Sequence, residues 1–129
     1  MGGALGTAAR YEIGLSRPVG EGTFPWATLG INLLGSFVLG VILTVAAADS
    51  IPEHHMRAFV AVGFCGGFTT FSTWMVESVL LARDGDAALG ALYTVVSIVA
   101  GFAAVTLGVV GARAVAHRQL PRFDPQDED

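Results

Sequence analysis

The stretch GGFTTFSTW, Gly66 to Trp74, sets two adjacent glycines, four hydroxyl side chains and the rings of Phe71 and Trp74 inside a long apolar run. In hydrocarbon every backbone N–H and C=O needs a partner, and irregular backbone survives only where protein or a water-filled cavity shelters it. A helix that breaks between Gly66 and Thr70 frees carbonyl oxygens toward a common spot, where a buried monovalent cation would satisfy them as it does at half-helix ends. Phe71 and Trp74 are three apart and share a face of the resumed helix. Their ring edges carry partial positive charge and suit a small anion. Thr69, Thr70, Ser72 and Thr73 add hydroxyls. The alternative is that these hydroxyls bond back to the preceding turn and the rings simply pack.

Further polar residues fall at helical spacing in neighbouring apolar segments. Thr28 and Asn32 are four apart. An asparagine in lipid must find partners and has two N–H bonds to donate, to a ligand or as interhelical glue. Tyr93 and Ser97, also four apart, form a second hydroxyl line, with Thr94 facing elsewhere. Glu77, the one carboxylate inside a clear apolar span, is expected to reach the membrane interface. His54 and His55 follow Glu53 in a loop, as adjacent residues with poor geometry for one metal. No histidine is arranged with a serine, cysteine or carboxylate, so no catalysis is expected. Cys65 is the single cysteine and reads as a small apolar filler.

The elements that hold these residues follow from charge spacing. Of 129 residues, 53% are hydrophobic and 14% charged, a membrane composition. There is no lysine, and Arg10, Arg17, Arg57, Arg83, Arg113, Arg118 and Arg122 leave long uncharged intervals. A spanning helix needs about 20 apolar residues. Residues 26–48, 58–82 and 87–113 qualify. Residues 2–16 have the small-residue texture of a packed membrane helix, but Arg10 and Glu12 interrupt them, and they are read as a short span sheltered by its neighbours. Loops are marked by Pro18, Gly20, Gly22 and Pro25, by Asp49, Ser50 and Pro52, and by Arg83-Asp84-Gly85-Asp86. The expectation is an all-α membrane protein: one domain over residues 1–118, four transmembrane helices with the third broken mid-membrane, and a disordered acidic tail over 119–129. The start MGGALGTAARY lacks a secretory-signal pattern and is read as mature sequence. The formal charge of −4 lies largely in the tail, and with no basic stripe, nucleic acid is not expected as a partner.

Four spans put both termini on one side. One face then receives Arg57, Arg113, Arg118 and Arg122, and the other Arg10, Arg17 and Arg83. Four against three is weak instruction for insertion. Chains inserted both ways can pair antiparallel about a two-fold axis in the membrane plane; a single orientation set by other factors is the alternative. Small residues four positions apart, at Gly2/Gly6, Ser36/Gly40, Gly63/Gly67, Ser97/Gly101 and Ala104/Gly108, offer close-packing faces.

GGALGTAARY, TLGINLLGSFVLG and GFCGGFTTFSTW resemble, in order and spacing, the three motif blocks of the Fluc (CrcB) fluoride channels. The resemblance covers nearly the whole chain. It implies a passive channel exporting fluoride across the inner (plasma) membrane, built as an antiparallel dual-topology dimer with a central structural sodium ion. By position it implies that Gly66 and Thr69 supply sodium-binding carbonyls, that Phe71 lines the pore with a ring edge and that Asn32 donates to fluoride. Thr28, Tyr93 and Ser97 would join the pathway with Thr70, Ser72 and Trp74, and Arg10 would lie near the vestibule. Two departures stand out: Trp74 where the family usually has a second phenylalanine, and Gly101 where it often continues the hydroxyl line. These keep open a subunit that conducts only beside a paralogous partner. A four-span proton-coupled exporter would need a mid-membrane carboxylate, and a non-conducting subunit would have apolar residues at 32, 69 and 71.

Overall fold

A computed structural model describes residues 1–16, 23–47 and 58–119. The expected loops at Arg17–Gly22 and Asp49–Pro52, the pair His54–His55 and nearly all of the acidic tail lie outside the described residues. Within them the chain is helical, without strands. The elements are α1 (Gly2–Ser16), α2 (Trp26–Ala47), α3 (Ala58–Cys65, wound as a wider π-helix), α4 (Gly66–Phe68), α5 (Phe71–Arg83) and α6 (Ala87–Gln119).

Three stretches are long and apolar enough to cross a membrane: Trp26–Ala47, Ala58–Arg83 taken through α3 to α5, and Ala87–Ala116. The 15 residues of α1 reach only ~22 Å at ~1.5 Å per residue, short of a hydrocarbon core of ~30 Å. The last helix runs on to Gln119, beyond the expected exit near Arg113. Nothing stops it there, since neither glycine nor proline follows Gly111 before Pro121.

The polar turn after α5 forms as its sequence predicts. The Asp84 N–H donates to the Leu80 carbonyl and the Asp86 N–H to that of Leu81, both at 2.9 Å. Gly85 takes the left-handed conformation at φ 97° that glycine alone adopts without strain. The turn folds α6 back along α5. Beyond it α6 lies along α2, while α1 packs on α3 and α4.

These contacts are made by backbones rather than large side chains. Gly2 and Gly6 are buried against α3 and α4, where a methyl group on Gly6 would strike the Phe64 carbonyl and one on Gly67 the Gly3 carbonyl. The α2–α6 crossing is equally close: a methyl on Gly40 would strike the Val105 carbonyl and one on Gly108 that of Phe37. Small-residue packing of this kind replaces the hydrophobic driving force that lipid removes. Gly101, by contrast, faces open space. The buried cluster is small, comprising Leu29, Leu81 and Tyr93 with Phe24, Leu33, Trp74, Leu89 and Val96 around it. Many large apolar side chains, among them Val62, Phe71 and Phe102, point outward.

Candidate functional site

The helical path is interrupted at Thr69 and Thr70, and local chemistry explains the position. Thr69 leaves α4 with ψ 156°, and Thr70 is extended at φ −144°, ψ 114°. Thr70 then caps α5: its hydroxyl oxygen accepts from the Thr73 N–H at 3.1 Å and donates to the Thr73 hydroxyl at 2.9 Å. Threonine is a good N-cap because its oxygen satisfies a donor the first helical turn leaves over.

Asn32, reaching across from α2, seals the gap. Its Oδ1 accepts from the Thr70 N–H at 2.8 Å, and its Nδ2 donates to the Thr70 carbonyl at 3.1 Å. The side-chain amide thus pairs with the exposed main-chain groups of one residue, as a strand would. One turn along α2, Gly35 lets the helices meet, since a methyl there would strike the Thr69 side chain.

This arrangement bears on the expected cation site. In an unbroken helix the Thr70 N–H would donate to the Gly66 carbonyl and the Thr73 N–H to that of Thr69. Asn32 Oδ1 and the Thr70 hydroxyl take those two donors instead. The Gly66 and Thr69 carbonyls therefore lose their helical partners, and uncharged oxygens so released fit a hard monovalent cation. The Thr69 hydroxyl has the plainer fate, bonding back to the Cys65 carbonyl at 2.9 Å.

A second cluster joins three helices. Glu77 on α5 accepts from the Thr28 hydroxyl of α2 at 2.7 Å through Oε1 and from the Tyr93 hydroxyl of α6 at 2.8 Å through Oε2. Glu77, expected to reach the membrane interface, has both its oxygens engaged by partners on two neighbouring helices. The hydroxyls expected to donate to an anion are the ones that hold it. Thr94 turns away as expected, toward the Gly90 carbonyl and Ser78.

Two clefts meet at Thr70. One, of about 460 Å³, is lined by Asn32, Gly66, Thr69, Phe71 and Trp74 among others. The other, of about 360 Å³, is bordered by Thr7, Arg10, Thr28, Thr73 and Glu77. Phe71 and Trp74 do share a face: their rings meet edge-on at 70°, with centroids 5.2 Å apart. Ser72 stays exposed, its hydroxyl 3.4 Å from that of Thr70. Ser97 is half-buried one turn from Tyr93, and its hydroxyl has no hydrogen-bond partner among the described residues. Gly35 is not marked as a site residue by the sequence, and Thr73 is marked there only as one of four hydroxyls and not as the partner of the Thr70 cap. The T-x-x-T capping pattern at 70–73 is the signal that marks Thr73.

Residues 1–109 match the family described as CrcB-like protein, Camphor Resistance (CrcB). The chain belongs to the CrcB family. A CrcB relative from Chlorobium chlorochromatii, named fluoride-specific ion channel FluC, is 46% identical over 116 residues, covering 90% of each chain. One of the same name from Chlorobium luteolum is 44% identical and covers 87% of each. A third, fluoride-specific ion channel FluC 3 of Streptomyces avermitilis, is 44% identical over 92% of this chain and 58% of its own. Family membership and three membrane-capable helices make this CrcB chain a multi-pass membrane protein. Its relatives carry the names of channels, in line with the expectation of no catalysis.

Proposed function

We propose that the chain is the subunit of a passive, fluoride-selective channel that exports fluoride across the inner membrane. The observation that carries this reading is the interruption at Thr69–Thr70, braced by Asn32 and opening on a cleft that Phe71 and Trp74 line. The names of the relatives supply the ion.

Fluoride is compact and strongly hydrated. A selective pore replaces its water with closely set donors, yet holds it weakly enough at several places for it to leave. Asn32 spends one N–H on Thr70 and keeps a second for an ion. The Phe71 ring edge is a weaker donor beside it. In the other cleft Arg10 attracts anions toward Glu77, and Thr28 and Tyr93 can exchange their hydrogen bonds from its carboxylate to an arriving anion. Such an exchange keeps both hydroxyls partnered at each step.

In this reading the Gly66 and Thr69 carbonyls hold a structural sodium ion, whose charge makes the surroundings favourable to anions. The short α1 is the fourth span, and two chains pair antiparallel. Val62 and Phe71, 76% and 71% exposed in the single chain, become covered in that pair. Trp74 and Gly101 favour a second reading, in which the partner is a paralogue.

The test is fluoride efflux from liposomes that hold only this purified chain. Efflux that Asn32→Ala or Phe71→Ala abolishes supports a self-sufficient channel. A silent wild type that conducts once a paralogue is added supports the second reading, and silence in both settings overturns the fluoride assignment.

A further inference from the structure

Interrupting the helix at Thr69 and Thr70 releases the Gly67 carbonyl as well as those of Gly66 and Thr69. In an unbroken helix it would accept from the Phe71 N–H. The extended conformations of Thr69 and Thr70 carry that N–H away. The Thr7 hydroxyl of α1 takes its place, donating to the Gly67 carbonyl at 3.4 Å.

Thr7 differs in this from other hydroxyls carried inside the helices. Thr44, Ser78, Thr94 and Thr106 each bond back to the carbonyl four residues earlier in their own helix, the usual fate of such side chains. Thr7 reaches instead across 60 positions of sequence to another element. Backbone contact sets its seat, since a methyl on Gly67 would strike the Gly3 carbonyl and one on Gly6 the Phe64 carbonyl.

α4 is three residues long and the chain beyond it is extended, so its orientation depends on what grips it from outside. On one side α2 grips the break, through Asn32 on Thr70 and Gly35 against Thr69. On the other side α1 grips it, through Thr7 on Gly67. Neighbouring residues of a helical turn lie ~100° apart around its axis. Holding Gly67 to α1 therefore fixes how Gly66 is turned, and Gly66 lines the larger cleft with Asn32 and Thr69.

We infer that Thr7 is a positioning residue for the cation site: by engaging the Gly67 carbonyl from α1, it sets the orientation in which the Gly66 carbonyl meets the ion. This role rests on the structural sodium ion proposed above.

The test follows melting of the full chain in detergent as sodium chloride replaces choline chloride at constant ionic strength. Wild-type protein is expected to melt higher in sodium, and the concentration giving half of that gain is the quantity read. Thr7→Val keeps the side chain's shape without the hydroxyl and is expected to raise that concentration about threefold, the effect of one neutral hydrogen bond. Thr7→Ala, a better helix former, repeats the loss with no branched side chain to place. Thr7→Ser keeps the donor and is expected to stay at the wild-type concentration. A bond that is merely structural lowers melting in choline and sodium alike and leaves the sodium concentration where it was. That result, or Thr7→Ser behaving as Thr7→Val, overturns the positioning role and leaves the cation site standing. Wild-type melting that ignores sodium overturns the cation site and the role of Thr7 together.

Discussion

At the scale of single residues, Asn32 does two jobs that one substitution can separate. Its amide completes the backbone of Thr70 and still offers an N–H to the cleft. Asn32→Ala strands both Thr70 groups, and each stranded group costs about 1–3 kcal/mol when buried. The variant is expected to unfold earlier on heating in detergent as well as to lose efflux. Asn32→Asp retains the acceptor for the Thr70 N–H but replaces the donors with negative charge. It is expected to keep more of the thermal stability than Asn32→Ala while conducting no better. Equal melting of the two variants would show that the Thr70 N–H bond contributes little. Tyr93→Phe addresses the other cluster: it removes one of the two donors to Glu77, at a cost of about 1–3 kcal/mol read in the same melting experiment.

At the scale of elements, the three apolar helices were legible as charge-poor intervals, although α6 runs on through Arg113 to Gln119, and the extended residues Thr69 and Thr70 fall within the run of glycines and hydroxyls that suggested an irregular backbone there. The partners of Glu77 were not legible. That carboxylate is held by α2 and α6 at once, through residues 49 and 16 positions away, so its environment exists only after three helices have crossed. Asn32 was readable as a donor, whereas its role as a brace depends on how closely Gly35 lets α2 approach Thr69. The π-helical winding of α3 has no mark in AFVAVGFC. The packing of α1 also yields a matched pair of tests. Gly6→Ala drives a methyl into the Phe64 carbonyl, a backbone atom that cannot step aside. It is expected to destabilise the fold by about 1–3 kcal/mol, the usual range for overpacking. Gly111→Ala adds its methyl to open space on α6 and is expected to stay within about 1 kcal/mol of the parent. Indistinguishable melting of the two would mean that α1 is not seated on α3 and α4.

At the scale of the whole molecule, the proposed arrangement in the membrane rests on two features that act together. Large apolar residues such as Phe102, Val99 and Leu107 face outward along α6, so the single chain presents lipid or a partner with most of its apolar surface. On the proposed topology, with α1 as a span, the arginines divide four to three between the two faces, and insertion is expected to have little preference. A protease-cleavable tag placed after Asp129 reads the outcome. In sealed inner-membrane vesicles of one orientation, both protected and accessible tags are expected, in comparable amounts. Adding two or three arginines to the loop at Asp84–Asp86 adds to the smaller group of positive charges and is expected to drive the tag to one side. Chains so fixed can no longer meet head to tail, and efflux from cells carrying only the fixed form is expected to fall. Co-expression with a form fixed the other way, by arginines added near His117, is expected to restore it. Tags found on one side alone in the unaltered protein would remove dual topology, and with it the antiparallel homodimer.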